Sequence, residues 1–248
     1  MSPPPLLLGI SGPSSSGKTT LSRLLRDILP PGQLTILHLD DFYLTDAEIP
    51  TKNGVQDWDC IESLNLPELK LALQYIKEHG RSPDWLISKE DQNSVGEHGV
   101  SESVVAGLRE EMKRLLSGKL DWEHRRICII DGFLLFSEEM RDIRELFDVR
   151  LFLRTSYETA KRRREARSGY VTLEGFWEDP PGYVDDIVWP NYVKDHSFLF
   201  KGGDVDAELD EEVCKTIDIH GMPKEAEGDM SRCLRWAIGV LENVIQGQ

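Results

Sequence analysis

A chain of 248 residues, 40% apolar and 29% charged, has the apolar content for a full core, and one α/β domain with insertions is the expected packaging. Its formal net charge of −15 argues against general affinity for nucleic acid or anionic membrane. Scattered cysteines at 60, 128, 214 and 233 form no disulfide framework or zinc pattern, and the start has neither the basic region nor the apolar length of a signal peptide. The expectation is an intracellular protein, cytoplasmic or else nuclear.

The apolar run Leu6 to Ile10 is predicted as a strand, and Leu21, Leu24, Leu25, Ile28 and Leu29 recur at helical spacing. Between them lie Gly12, Ser14, Ser15, Ser16, Gly17, Lys18, Thr19 and Thr20, a G-x-x-x-x-G-K-[ST] loop in the strand-to-helix setting that the motif requires. The glycines let successive backbone N–H groups curl around a phosphate, and a helix N-terminus favours an anion. Lys18 adds charge for the β- and γ-phosphates, and the Thr19 hydroxyl suits Mg²⁺. The chain is therefore expected to bind a nucleoside triphosphate, and the destination of the γ-phosphate must be read elsewhere.

Residues 34–39 read as a second buried strand, ending in Asp40, Asp41 and Phe42. In a parallel sheet that end faces ligands, so at least one acid of the pair is expected to be functional. Trp58 beside Asp59 offers a flat face and a hydroxyl acceptor, though a Trp taken alone is more often core and an Asp before Cys-Ile-Glu reads as well as a helix cap. A helix over 61–79 restarts near Pro67. Residues 80–126 read as an insertion, part loop and part amphipathic helix over 101–117. The next strand, from Arg126 to Ile130, delivers Asp131 toward a metal. A helix at 138–145 and a strand at 148–154 follow. Ser156 then caps a helix that becomes strongly basic at Arg162, Arg163, Arg164 and Arg167, the densest cationic cluster of an acidic chain. Arginines there suit a transferring phosphoryl group. The stretch from Gly169 to Tyr183 reads as a lid, and Val188-Trp189-Pro190 is expected to break whatever precedes it. A short helix is predicted at 192–195, an acidic surface excursion at 202–212, a last strand at 215–219 and a final helix at 229–245.

A regulatory GTPase would need an N-K-x-D strand end to read guanine, and the nearest string, Asn191-Tyr-Val-Lys194-Asp195, has the wrong spacing. A small chain with an acid after strand two, a basic helix and a lid has the layout of a small-molecule kinase. Several strings resemble the nicotinamide riboside kinase family, a branch of the uridine kinase-like P-loop kinases. They are Gly9-Ile-Ser-Gly12 with Ser16-Gly17-Lys18-Thr19-Thr20, Asp40-Asp41-Phe42, Lys52-Asn53-Gly54 and Ile130-Asp131-Gly132-Phe133-Leu134-Leu135-Phe136. Lys161-Arg162-Arg163-Arg164, Asp179-Pro-Pro-Gly182-Tyr183 and Val188-Trp189-Pro190 complete the order.

The resemblance implies an α/β P-loop NTPase three-layer sandwich with a mostly parallel five-stranded sheet, a helical lid and inserted loops. The ordered match runs from residue 9 to 190 with 80–126 outside it, and 1–248 is expected as a single kinase domain with the lid at 155–196. It implies ATP and Mg²⁺ as cofactors and a small-molecule nucleoside as partner, with no nucleic acid and no membrane. The oligomeric state stays open, a monomer included. By the same resemblance Lys18 holds phosphates, Thr19 and Asp131 serve the metal, and Asp40 is the base facing a ribosyl 5′-hydroxyl, with Phe42 beside it. Asp59 and Arg164 hold the ribose hydroxyls. Trp58 and Tyr170 sandwich a pyridinium ring, Phe176 and Trp177 being alternatives to Tyr170. Asp179 sits by the base, and Arg163 and Arg167 face phosphate. Asp131 replaces a common Glu, and Trp58 a common Tyr. The implied activity is ATP-dependent phosphorylation of nicotinamide riboside or its acid analogue. Another acceptor such as uridine or cytidine, and a catalytically inactive nucleotide-binding regulator, are the alternatives.

Overall fold

In a computed structural model, which describes residues 3–88, 97–167, 169–172 and 174–247, the elements follow one another along the chain as β1 (Leu6–Ser11), α1 (Lys18–Ile28), β2 (Leu34–His38), β3 (Thr51–Lys52), β4 (Val55–Gln56), α2 (Leu66–His79), α3 (Glu102–Leu116) and α4 (Leu120–Glu123). Then come β5 (Ile127–Gly132), α5 (Arg141–Arg144), β6 (Val149–Phe152), α6 (Tyr157–Glu165), β7 (Tyr170–Val171) and β8 (Phe176–Trp177). The chain closes with α7 (Trp189–His196), α8 (Glu211–Thr216), β9 (His220–Gly221) and α9 (Met230–Gly247).

Five strands pair in the order β2-β5-β1-β6-β9, all parallel. β1 is buried along its whole length, as a strand covered on both faces must be. One face carries α1, α3 and α9, with Leu21, Leu25, Leu108, Met112, Leu234 and Leu241 packed on Leu8 and Ile10. The other carries α2 and the segment around α7, with Leu69, Leu73, Phe136 and Leu199 packed on Leu7 and Ile130. The result is the three-layer sandwich of a P-loop NTPase. The helix expected within 80–126 lies in the main core as α3, while 89–96 of that stretch is outside the described residues.

Local chemistry explains the element ends. Asn65 caps α2 by accepting from the Glu68 N–H and donating to its carboxylate, so Pro67 falls in the first turn, where no N–H is needed. Ser156 caps α6 through the Thr159 N–H.

Three expectations are corrected. Residues 215–219 are not a strand. Asp210 accepts from the N–H groups of Glu212 and Val213 and starts a helix through Thr216; Asp218 then turns at φ 55° and the last strand is His220–Gly221. Pro190 breaks nothing, because a widened turn over Val184–Val188 runs straight into α7, with the Trp189 N–H reaching the Val184 carbonyl. The helix expected at 138–145 is a single turn, Arg141–Arg144; buried Arg144 donates back to the Phe136 carbonyl and so holds the preceding segment in turns.

Candidate active site

The loop between β1 and α1 supplies the floor of the site. Ser15 and Gly17 take left-handed φ values of 62° and 99°, which turn consecutive N–H groups to one side as an anion nest. Gly12 is required: at φ 146° a Cβ would lie 2.3 Å from the Leu153 carbonyl oxygen, backbone that cannot give way. The Ser15 and Ser16 hydroxyls are buried without a partner, so the loop is short of a ligand that hydrogen-bonds, and phosphate oxygens fit that deficit. Lys18 Nζ donates to the Pro13 carbonyl at 2.9 Å. Burial lowers its ammonium to about 8, with Asp40 and Asp131 pulling it back up.

Sheet register sets the next group. β2 and β5 pair so that His38 lies beside Asp131. His38 Nδ1 is 3.1 Å from both Asp131 oxygens, and Ser22 Oγ donates to the same carboxylate at 2.8 Å. Thr19 Oγ1 donates to Asp131 at 3.2 Å. Two hard oxygen groups, oriented from behind, fit a magnesium ion bound through one or two carboxylate or hydroxyl ligands plus phosphates and water.

Asp40 enters from a 3₁₀ turn over Leu39–Phe42. With three residues per turn, positions three apart share a side. Leu39 and Phe42 therefore both point into the core, and Asp40 and Tyr43 both line the cavity. This geometry separates the acidic pair, since Asp40 lines the cavity and Asp41 does not. It also corrects the expectation for Phe42, whose ring is core and whose place beside the cavity belongs to Tyr43.

The cavity, about 90 Å³, is walled by aromatics and acids: Tyr43, Trp58, Phe133, Tyr170 and Trp177 with Asp40, Asp59 and Asp131. Trp58 meets Tyr43 edge-on at 5.2 Å and Trp177 at 5.7 Å, and its indole N–H is buried with no acceptor. Tyr170 and Trp177 both line the space on the paired strands β7 and β8, whereas Phe176 is exposed. Sequence reasoning missed Tyr43 and Phe133, although each sits within three residues of an acid at a strand end.

Arg164, from α6, is the hub. Its Nη1 donates to Asp59 at 2.7 Å and to the Ser14 hydroxyl at 3.0 Å. Nη2 reaches Asp59 at 2.9 Å and Asp179 at 3.2 Å, and Nε reaches Asp179 at 2.6 Å. Burial raises the Asp59 carboxyl against the pull of Arg164. Burial also works against the Arg164 charge, but Asp59, Tyr170 and Asp179 hold its guanidinium well above the usual range. Asp179, expected by the base, is held within this hub. It is absent from the cavity wall, and its oxygens are taken by Arg164 and by the Trp177 indole N–H at 2.8 Å.

A second, open groove of about 870 Å³ runs along the other side of the phosphate loop, lined by Ser16, Arg23, Arg154, Arg163 and Met230. Ser15, Gly17, Thr19, Thr20, Arg167 and Tyr170 face both spaces. Arg163 donates to the Ser15 carbonyl at 3.3 Å, and Arg167 to the Tyr170 hydroxyl at 3.2 Å. The loop is a partition between the two spaces.

No family profile matches the chain, but individual proteins do. It is 42% identical over 241 residues to the nicotinamide riboside kinase of Schizosaccharomyces pombe, covering 97% of this chain and 98% of that one. The nicotinamide riboside kinase of Saccharomyces cerevisiae is 35% identical over 214 residues, 86% of each chain. Human nicotinamide riboside kinase 1 is 32% identical over 189 residues, 76% and 75% of the two chains. Among solved structures, a possible uridine kinase from Bacillus stearothermophilus superposes with a TM-score of 0.41 at 15% identity, over 78% of this chain and 84% of that one. With identity sustained from end to end, the chain belongs to the nicotinamide riboside kinase family.

Proposed function

We propose that this chain transfers the γ-phosphoryl group of ATP to the ribosyl 5′-hydroxyl of nicotinamide riboside, forming the mononucleotide for NAD salvage. The observation that carries the reading is that Lys18, Asp40 and Asp131 line an aromatic, acid-walled chamber, which shares Ser15, Gly17, Thr19 and Thr20 of the phosphate loop with the groove beside it. The triphosphate belongs to the groove and the acceptor to the chamber. A cationic pyridinium ring suits aromatic faces and nearby carboxylates, an interaction worth about 0.5–2 kcal/mol per face.

In this reading Asp40 takes the hydroxyl proton as the new O–P bond forms and the bond to the β-phosphate oxygen breaks, releasing ADP. Thr19 and Asp131 would hold Mg²⁺, which supplies charge neutralisation on the phosphates when bound. Lys18 and Arg167 offset the charge on the transferring group, and Arg163, on the groove side, faces the triphosphate. Asp59 accepts from the ribose diol, with Arg164 on the chamber wall fixing that carboxylate, and Trp58 with Tyr170 or Trp177 holds the ring. Arg164 and Asp179 brace the hairpin of β7 and β8 over the chamber and so exclude water. The whole chain, 1–248, acts as one kinase domain, with 80–126 as an insertion and 155–196 as the lid, in a cytoplasmic setting. Among the described residues no helix is long and apolar enough to cross a membrane.

The test is a panel of nicotinamide riboside, nicotinic acid riboside, uridine and cytidine with ATP and Mg²⁺. The expected result is a kcat/KM highest for nicotinamide riboside. Efficient uridine turnover with negligible turnover of nicotinamide riboside refutes the acceptor. Turnover that survives Lys18→Ala refutes the site.

A further inference from the structure

Trp58 and Asp59 lie in a loop, yet their backbone is clamped. The Trp58 N–H donates to the Tyr183 hydroxyl at 2.9 Å, and that hydroxyl donates to the Gln56 carbonyl at 3.0 Å. The Asp59 N–H donates to Asp57 Oδ1 at 3.1 Å. Asn191 Nδ2 donates to both Asp57 oxygens at 3.0 Å and to the Asp59 carbonyl at 3.1 Å. Lys52 Nζ donates to Asn191 Oδ1 at 2.9 Å, which fixes the orientation of the amide, with acceptors on its nitrogen side and a donor on its oxygen side. Asn191, Asp57 and Tyr183 are each 7% exposed or less, and none of them lines the cavity.

We infer that Asn191 is a positioning residue for the acceptor: from α7 it sets the backbone of Trp58 and Asp59, and through them the geometry of the ring face and of the diol-binding carboxylate. The inference rests on the chamber being the nucleoside site. Its logic is that of a supporting shell, in which buried, fully satisfied partners fix groups that would otherwise wander with their loop. Asn191 is 132 residues from Asp59, so α7 and the loop before α2 are joined by one amide. A displacement of about 1 Å in such a group costs on the order of a hundredfold.

The experiment compares Asn191→Asp, Tyr183→Phe and the exchange Asp57→Asn with Asn191→Asp, each assayed with the best nucleoside of the wild-type panel. Asn191→Asp sets a carboxylate against Asp57 and removes the donor to the Asp59 carbonyl. Its nucleoside KM rises about tenfold to a hundredfold while the KM for ATP stays within about twofold. Tyr183→Phe gives a smaller shift of the same selectivity. The exchange restores one donor to one acceptor and recovers part of the loss. Nucleoside and ATP constants that move together, or a folded Asn191→Asp with an unchanged nucleoside KM, overturn the inference. If Asn191→Asp loses its cooperative melt, the Tyr183→Phe split decides on the same terms. If the wild type phosphorylates no nucleoside, the functional reading falls and this inference falls with it; if it favours uridine, only the acceptor changes and the clamp is tested with uridine.

Discussion

Replacing Arg164 by Ala isolates the hub of the site. The guanidinium spends all five of its donors on Asp59, Asp179 and Ser14. Removing it leaves Asp59, 5% exposed, as a buried carboxylate without its cation. Breaking one side of a buried pair costs about 3–5 kcal/mol. For a chain of this size each kcal/mol moves the midpoint by roughly 2–4 °C, so the thermal midpoint is expected to fall by roughly 6–20 °C at neutral pH. The loss has a pH signature. Burial already raises the Asp59 carboxyl above its ordinary value of 3.8, and losing Arg164 raises it further. A raised carboxyl costs stability above the unfolded-state value, and that cost shrinks as pH falls and the folded chain takes up the proton first. Thermal unfolding followed by circular dichroism at pH 7 and pH 5 checks both parts, with the deficit smaller at pH 5. A deficit below about 1 kcal/mol, the scale of an exposed pair, or one indifferent to pH, would refute this account.

Asp40→Asn should lower kcat by roughly 10²–10⁴-fold with ATP binding intact, and steady-state rates together with nucleotide titration test it. Trp58→Ala should raise the nucleoside KM more than it lowers kcat, since the ring is held in ground and transition states alike; an effect confined to ATP contradicts the assignment. His196 is fully buried, and burial lowers its imidazole from 6.5 to about 4. The unfolded chain binds this proton first, so the contribution is complete above pH 6.5 and is lost as pH falls toward 4. It amounts to about 3 kcal/mol in urea titrations across that window, and His196→Leu should flatten the slope.

How much was legible depended on distance along the chain. The phosphate loop, Asp40 and Asp131 are local signals, each an apolar strand with its chemistry attached to the end. The turn that separates Asp40 from Asp41 and Tyr43 from Phe42 is only four residues long, too short to show a period in the sequence. Asp179 was placed by the base through the resemblance alone, and the structure commits its oxygens to Arg164 and Trp177. Residues 215–219 alternate like a strand, yet the Asp210 cap outweighs the alternation. The roles of Asn191 and Tyr183 were not legible, although Tyr183 closes one of the resembling strings, because an amide or phenol takes its meaning here from partners more than a hundred residues away.

The partition formed by the phosphate loop also has a kinetic meaning. A ligand in the groove and one in the chamber reach the common wall from different sides, so neither has to leave for the other to arrive. Both binary complexes should form, and initial-rate lines should intersect rather than run parallel. ADP, filling the groove, should compete with ATP and not with the nucleoside. Arg167 and Tyr170 border both spaces. Occupancy of one side should therefore alter affinity on the other, and by linkage the factor must be the same in both directions.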